Sequence, residues 1–133
     1  MRYCADTWFL LELNKKNDRA FKIFRETIEG KNRIVIPTIS IFELIRISIR
    51  TGESLARIDA LLDELRVTQK VQAVVLDEAI AKEAAKVSVS YNVPSVDSII
   101  AATARISDSD VLLSKDEDLT MLSKKKYIKI ENW

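Results

Sequence analysis

The chain contains no histidine among its 133 residues, and this absence excludes more chemistry than any other feature of its composition. Without histidine there is no Ser-His-Asp or Cys-His triad, no histidine-ligated zinc and no paired-histidine route to RNA cleavage. Cysteine occurs once, as Cys4, so neither an intrachain disulfide nor a zinc site of several thiolates can form. Any catalysis therefore depends on carboxylates, hydroxyls, lysine, arginine or a bound metal ion.

Glycine and long apolar runs are also scarce. Gly30 and Gly52 are the two glycines, and they lie far apart. P-loops and dinucleotide-binding fingerprints need closely spaced glycines, so both of these nucleotide-binding sites are excluded. No apolar run approaches the roughly 20 residues that a membrane span requires, and no charged-then-apolar signal begins the sequence. We therefore expect a cytoplasmic protein without a membrane partner.

The charges of the chain nearly balance, with 21 Lys plus Arg against 20 Asp plus Glu and a formal net charge of +1. The bulk charge does not indicate a nucleic-acid-binding protein, although a metal ion or a local basic patch could still hold phosphate. Apolar residues make up 47% of the chain and charged residues 31%, as is typical of globular proteins. Because there is no linker and no repeat, we expect one domain over residues 1–133.

Short apolar stretches alternate with segments of helical periodicity along the chain. Strands are predicted in "RYCAD", "RIVIP", "KVQAVVL" and "DVLLS", with a further edge strand in "YIKI". The segment "TISIFELIRISIRTG" is rich in β-branched residues, so a strand is an alternative there, but its length and flanks favour a helix. The alternation predicts an α/β fold with a central parallel sheet of four or five strands, covered by helices on both faces.

Four acidic residues from distant parts of the chain are predicted to meet at one edge of this sheet. Asp6 ends the first strand, and Asp116 closely follows the strand "DVLLS". Glu43 and Asp97 lie near the starts of two predicted helices. Because the working crevice of a parallel sheet lies at the carboxyl ends of its strands, all four acids can be delivered to that crevice.

Each of these acids also has a structural interpretation. Asp6 could be a strand-end turn residue, Asp97 a carboxylate facing the helix macrodipole, and Asp116 an N-cap. Glu43 could pair with Arg46, three residues further along its helix. Glu43 and Asp97, however, both lie on otherwise apolar helix faces, where an ionised carboxylate is costly unless something offsets its lost hydration.

One hypothesis explains both carboxylates on apolar faces: they point into a shared acidic pocket that holds a divalent cation. Coordination by a hard cation removes the repulsion between clustered carboxylates. Since only oxygen donors are available, Mg²⁺ or Mn²⁺ fits the ligand set, and such an ion can bind substrate phosphate and activate a water molecule. The hydroxyls of Thr7 and Ser114 lie beside the acids and are candidates to orient ligands or water.

Four motifs, "ADTWFLLEL", "TISIFELIR", "VPSVDSIIAATA" and "VLLSKDEDL", occur in this order over nearly the whole chain. Together they resemble those of a PIN domain, and the chain is similar in size to the VapC toxins of type II toxin–antitoxin pairs. The resemblance implies a PIN-like three-layer α/β/α fold. It also implies an Mg²⁺- or Mn²⁺-dependent endoribonuclease that acts on RNA, commonly as a homodimer that a cognate antitoxin protein neutralises.

The same resemblance implies a set of site residues. The catalytic and metal-binding acids would be Asp6, Glu43, Asp97 and Asp116, and Asp118 would be an additional or water-mediated metal ligand. Whether Asp116 or Asp118 coordinates directly is left open.

An RNA-cleaving enzyme also needs cations that hold the strand. The densest basic run is "SKKKY", which contains Lys124, Lys125 and Lys126, although a solvated helix end is the simpler explanation of these lysines. Arg46 and Arg50 are alternatives close to the predicted acids.

Two other classes of protein fit parts of the pattern. A signalling receiver domain has similar length and alternation, with Lys115 after a late strand, but it needs paired acids after its first strand and an acceptor Asp closing a strand in mid-chain. A catalytically silent relative of the PIN fold, which only binds RNA or a protein, would share the motifs, but the intact acids argue against it.

Overall fold

The computed structural model describes residues 1–133 and contains seven helices and five strands. In chain order they are β1 (Arg2–Ala5), α1 (Thr7–Asn14), α2 (Asp18–Ile28), β2 (Arg33–Pro37), α3 (Thr38–Thr51), α4 (Leu55–Val67), β3 (Val71–Val74), α5 (Glu78–Tyr91), α6 (Ser95–Ile106), β4 (Val111–Leu113), α7 (Glu117–Lys124) and β5 (Ile130–Glu131). None of these helices is long and apolar enough to cross a lipid bilayer. The alternation of strands and helices agrees with the predicted α/β class.

The five strands form one all-parallel sheet in the order β3-β2-β1-β4-β5. In the central strand β1, Tyr3 aligns with Ile34 of β2 on one side and with Val111 of β4 on the other. The chain first builds outward from β1 to β3 and then crosses back to β4, so the strand order reverses between β1 and β4. Such a switch point opens a crevice at the carboxyl ends of the strands, which here are followed by Asp6 and Ser114.

Helices cover both faces of the sheet and make a three-layer α/β/α fold. Helices α1, α2 and α4 bury Phe9, Phe24 and Leu61 against one face. Helices α5, α6 and α7 bury side chains such as Ile100 and Leu119 against the other. Because successive strand residues point to opposite faces and both faces are covered, the strands are apolar almost throughout, as the sequence predicted.

One predicted strand position was wrong, and the threonines that begin α1 and α3 do not cap these helices. Thr7 does not cap α1, because Asp6 is extended at the end of β1 and its side chain accepts the Thr7 N–H. Thr38 does not cap α3, which follows Pro37 without a side-chain cap. The last strand begins at Ile130 rather than Tyr127, because the Tyr127 N–H closes the end of α7 on the Leu122 carbonyl.

The structure also decides two alternatives left by the sequence. The segment Thr38–Thr51 is a helix and ends at Gly52, whose φ of 74° is the left-handed conformation that glycine adopts easily. The third strand lies at the edge of the sheet and is followed by Val75 and Leu76, not by an acid. The receiver-domain alternative required an acceptor Asp closing a strand in mid-chain, and the structure contradicts it.

Candidate metal centre

All five acids named from the sequence lie around the carboxyl edge of the sheet. Asp6 joins β1 to α1, Glu43 lies in the second turn of α3, Asp97 in the first turn of α6, Asp116 at the N-cap of α7 and Asp118 in its first turn. Carboxylate oxygens of Asp97, Asp116 and Asp118 lie within 4.8 Å of one another. The other four acids all repel the charge of Asp97. The fold therefore brings together acids that are remote in sequence.

Asp6 is held in place by both of its carboxylate oxygens. The side chain is 5% exposed, and its Oδ1 accepts a hydrogen bond from the backbone N–H of Thr7 at 2.7 Å. Its Oδ2 accepts from the Ser114 hydroxyl at 2.6 Å, and the same hydroxyl oxygen accepts from the Asp116 N–H at 3.1 Å. Ser114 thus connects the segment after β1 to the segment after β4.

Glu43 is oriented by Thr7 and not by arginine. The Thr7 hydroxyl donates to Glu43 Oε1 at 3.0 Å. Arg46 is exposed, and neither it nor any other base forms an ion pair with Glu43. The structural interpretation of Glu43 as one half of a helical salt bridge is therefore wrong.

Asp116 has a structural role that leaves one oxygen free. Its Oδ1 caps α7 by accepting from the backbone N–H groups of Asp118 at 2.8 Å and Leu119 at 3.2 Å. No hydrogen bond of the structure reaches its Oδ2. The N-cap interpretation is correct, and it is compatible with a metal ligand because capping occupies only one oxygen.

Asp97 is the one acid of the site that is shielded from solvent and has no partner in the chain; Asp118 also lacks a partner but is exposed. Its carboxylate takes part in no hydrogen bond and no ion pair of the structure, although the side chain is half-buried. Burial, together with repulsion from the neighbouring acids, raises the pKa of Asp97 to about 7. Burial likewise raises the pKa of Asp6 to about 6, against the opposing effect of its hydrogen bonds from Ser114 and Thr7.

The donor set fits a hard divalent cation. No lysine or arginine forms an ion pair with any of the five acids, so the chain itself supplies no compensating charge. The donors are all oxygens, the ligands that Mg²⁺ and Mn²⁺ prefer. Oxygens that share one octahedral Mg²⁺ at about 2.1 Å lie about 3–4 Å apart, close to the spacing of the group of three aspartates.

No role was predicted from the sequence for the segment Glu131–Trp133, which supports the backbone of Ser114 from outside the site. The Ser114 N–H donates to the Glu131 carbonyl at 3.1 Å, and the Asn132 side chain donates to the Ser114 carbonyl at 3.0 Å. Trp133 packs on Trp8, with ring centroids 4.8 Å apart. The two tryptophans were the one available signal, since a pair of large aromatic side chains usually packs together.

The predicted basic residues fall into two groups. Arg46 and Arg50 are exposed on α3, one and two turns beyond Glu43 on the same side of the helix. The three lysines of the basic run lie at or just after the end of α7, whereas Asp116 lies before its start. Arg46 therefore lies one helical turn from Glu43 and Arg50 about 10 Å from it along the α3 axis, whereas the lysines lie toward the opposite edge of the sheet.

Comparison with known proteins places this geometry in context. The model of the PIN domain family matches residues 3–125. VapBC2 from Rickettsia felis, solved with a promoter DNA fragment, has a TM-score of 0.77 at 15% identity, over 100% of this chain and 99% of its own. DNA-bound VapBC from Salmonella typhimurium has a TM-score of 0.69 at 20% identity, over 100% and 98%. VapC20 from Mycobacterium tuberculosis, described as a toxin that cleaves the sarcin-ricin loop, has a TM-score of 0.68 at 15% identity, over 90% and 94%. No curated protein matches the chain in sequence. At these identities the solved structures show a shared fold.

Proposed function

The chain belongs to the PIN domain family, and from this premise we propose that it is an Mg²⁺- or Mn²⁺-dependent endoribonuclease that cleaves RNA phosphodiester bonds. The observation that carries the proposal is the Asp97 carboxylate, which is half-buried among four other acids and has no partner in the chain. A bound divalent cation would supply the missing positive charge. The ion would lie at the carboxyl ends of β1 and β4, the point where the strand order of the sheet reverses.

In this proposal the acids hold the ion and the hydroxyls hold the acids. Asp6, Glu43, Asp97 and Asp116 are the catalytic acids, and Asp118 is a further metal ligand. A bound divalent ion supplies Lewis-acid stabilisation of the negative charge that develops on a phosphoryl group. The hydroxyls of Thr7 and Ser114 fix the carboxylates of Glu43 and Asp6 before any ion arrives, which reduces the reorganisation that binding requires.

Arg46 and Arg50 are the proposed phosphate contacts beside the acids. Both side chains are exposed and neither forms an ion pair. They follow Glu43 on one side of α3, so an RNA strand that reaches the acids passes over them. Their guanidinium groups would compensate the repulsion between the RNA backbone and the acidic crevice.

We further propose that the protein is the cytoplasmic toxin of a VapBC-type pair, with residues 1–133 forming a single PIN domain. Its proposed partners are a cognate antitoxin and a second copy of the chain. The VapBC complexes among the similar structures support an antitoxin partner. Exposed apolar side chains on α3, Phe42 at 56% and Ile49 at 63%, offer surface for such contacts.

Cleavage of RNA by the purified protein tests the proposed activity. With Mn²⁺ we expect a labelled oligoribonucleotide or total RNA to be cut into discrete fragments, and with EDTA we expect no cleavage, because the acids then have no cation. The catalytically silent alternative predicts intact RNA in both conditions. Intact RNA in the presence of Mn²⁺, from protein that binds Mn²⁺ in a calorimetric titration, would rule out the proposed activity on the RNAs tested.

Substitution Ser114→Ala tests the link between Asp6 and the rest of the site. The change removes the donor to Asp6 Oδ2 and the acceptor for the backbone N–H of Asp116, so the Asp6 carboxylate loses one of its two hydrogen bonds and its link to the Asp116 backbone. We expect Mn²⁺ affinity to fall about 10–100-fold in a calorimetric titration. Ser90→Ala is the matched control, because Ser90 is exposed on α5 and makes no side-chain hydrogen bond. Equal affinities of the two variants would contradict the assigned role.

A further inference from the structure

A positively charged pocket of about 470 Å³ lies at the amino edge of the sheet, beyond the end of α7. Its lining residues, which we call the basic pocket, are Arg105, Asp108, Ser109, Ser123, Lys126, Tyr127, Ile128 and Lys129. Three of them are cations from separate segments: the end of α6, the turn after α7 and the residue before β5. The one acid, Asp108, is already paired with Arg2 at 3.1 Å. Lys129 is paired with Glu131 at 3.5 Å, so Arg105 and Lys126 carry the uncompensated positive charge of the pocket.

Arg105 is fixed in the pocket by contacts that leave its charge uncompensated. Its guanidinium lies 5.1 Å above the Tyr127 ring and donates to the Tyr127 carbonyl. The Tyr127 hydroxyl in turn donates to Glu83 at 2.8 Å, which holds the ring in place. No carboxylate pairs with Arg105, and a guanidinium has five N–H donors, so donors remain for an anion.

Lys126 occupies a backbone position where glycine is the usual residue. Its φ is 60°, and the Tyr127 N–H closes the helix end on the Leu122 carbonyl at 3.0 Å. The negative end of the α7 dipole accounts for lysines on the last turn, such as Lys124. The helix dipole does not explain why Lys126, in a left-handed turn, lies in the same pocket as Arg105 and Lys129.

We propose that the basic pocket binds a phosphate group of the RNA backbone, away from the acidic crevice. The inference rests on the proposed function, because it takes RNA as the ligand. Arginine, lysine and serine hydroxyls are the groups that hold phosphate oxygens in proteins. Helix α7, with 8 residues, puts the pocket and Asp116 roughly 12 Å apart along its axis. A strand of several nucleotides can reach both, and the exposed Lys124 and Lys125 lie at the pocket end of α7.

The test compares RNA binding by two kinds of lysine variant. The probe is a short fluorescein-labelled single-stranded oligoribonucleotide, measured by anisotropy in EDTA so that it stays intact. For the variant Lys126→Gly/Lys129→Gln we expect about tenfold weaker binding at low salt. The salt dependence should fall by about 0.7 in slope, since one phosphate of a single strand is no longer neutralised.

Lys16→Gly is the matched control. Lys16 is exposed, has a φ of 61° and lies after α1, which packs on the other face of the sheet. The control should bind RNA like the unchanged protein. Glycine adopts the left-handed conformation of both positions easily, so thermal melting should show that both variant proteins are folded. If the double variant is unstable, RNA binding is measured with Lys126→Gly alone.

Three outcomes would overturn the inference. The first is unchanged affinity and salt slope in the basic-pocket variant, and the second is an equal loss in Lys16→Gly. The third is that inorganic phosphate protects the basic-pocket lysines from acetylation while the oligoribonucleotide does not. Because binding is measured without metal, a failure of the proposed function is seen separately, as absence of Mn²⁺-dependent cleavage by a protein that still binds RNA through the pocket.

Discussion

Replacing Asp97 by asparagine is expected to reduce Mn²⁺-dependent RNA cleavage by roughly 100-fold or more, while the protein remains folded. Asparagine has nearly the shape of aspartate but lacks the charge that holds a cation. In the metal-free protein the same change should raise the melting temperature, because the carboxylate it removes is half-buried and repelled by its neighbours. Loss of activity together with a gain in stability is the signature of a functional group, since a residue needed for folding would lose both.

The control for this experiment is Asp59→Asn, prepared and assayed in the same way. Asp59 is exposed on α4 and forms no ion pair, so its replacement should leave both cleavage and melting temperature unchanged. Parallel purification also excludes a contaminating nuclease, which would be equally active in both samples. Full cleavage by Asp97→Asn would remove the acid from the proposed mechanism.

Metal-free protein should be less stable at pH 8 than at pH 5. The pKa values of Asp6 and Asp97 rise from the ordinary value of 3.8 to about 6 and about 7 on folding, so within this range the folded state binds more protons than the unfolded chain. The free energy of unfolding therefore falls as the pH rises. Between pH 5 and pH 8 the well-buried Asp6 contributes about 1.4 kcal/mol to this loss, and the half-exposed Asp97 adds an amount that solvent screening reduces.

Thermal melts at the two pH values measure this effect directly. A difference of about 2 kcal/mol would move the melting temperature of a domain of this size by roughly 5–10 °C. Mn²⁺ added at pH 8 should reverse the loss, since a ligand at 100 times its dissociation constant stabilises by about 2.7 kcal/mol. The pKa values of Glu29 and Asp110 are lowered by their basic partners, so these groups act mainly at more acidic pH than this window. Equal melting temperatures at pH 5 and 8 would contradict the raised pKa values.

The fold and the acids could be predicted because both follow from local patterns. Buried parallel strands are short apolar runs, and the residue after each strand is delivered to a known edge of the sheet. Asp6 and Asp116 are found by that rule. Glu43 and Asp97 are found because charge on an apolar helix face requires an explanation.

Long-range pairing could not be predicted in the same way. Nothing near Asn132 in sequence indicates that its side chain supports the Ser114 carbonyl, because the contact depends on how β5 docks beside β4. The cap of α1 could not be decided from the sequence for a related reason. Thr7 and Asp6 are both good capping residues, and the register of β1, not residue preference, decides which of them is extended.

The hydrogen bond between Ser114 and Asp6 joins positions 108 residues apart, because the central strand is made first and its neighbour β4 nearly last. During translation, a nascent chain that has not yet released β4 from the ribosome lacks Asp116 and Asp118 and has an incomplete crevice. A polypeptide terminated before β4 would lack the proposed metal site for the same reason. Sheet topology thus delays the proposed activity until β4 and the start of α7 have been synthesised.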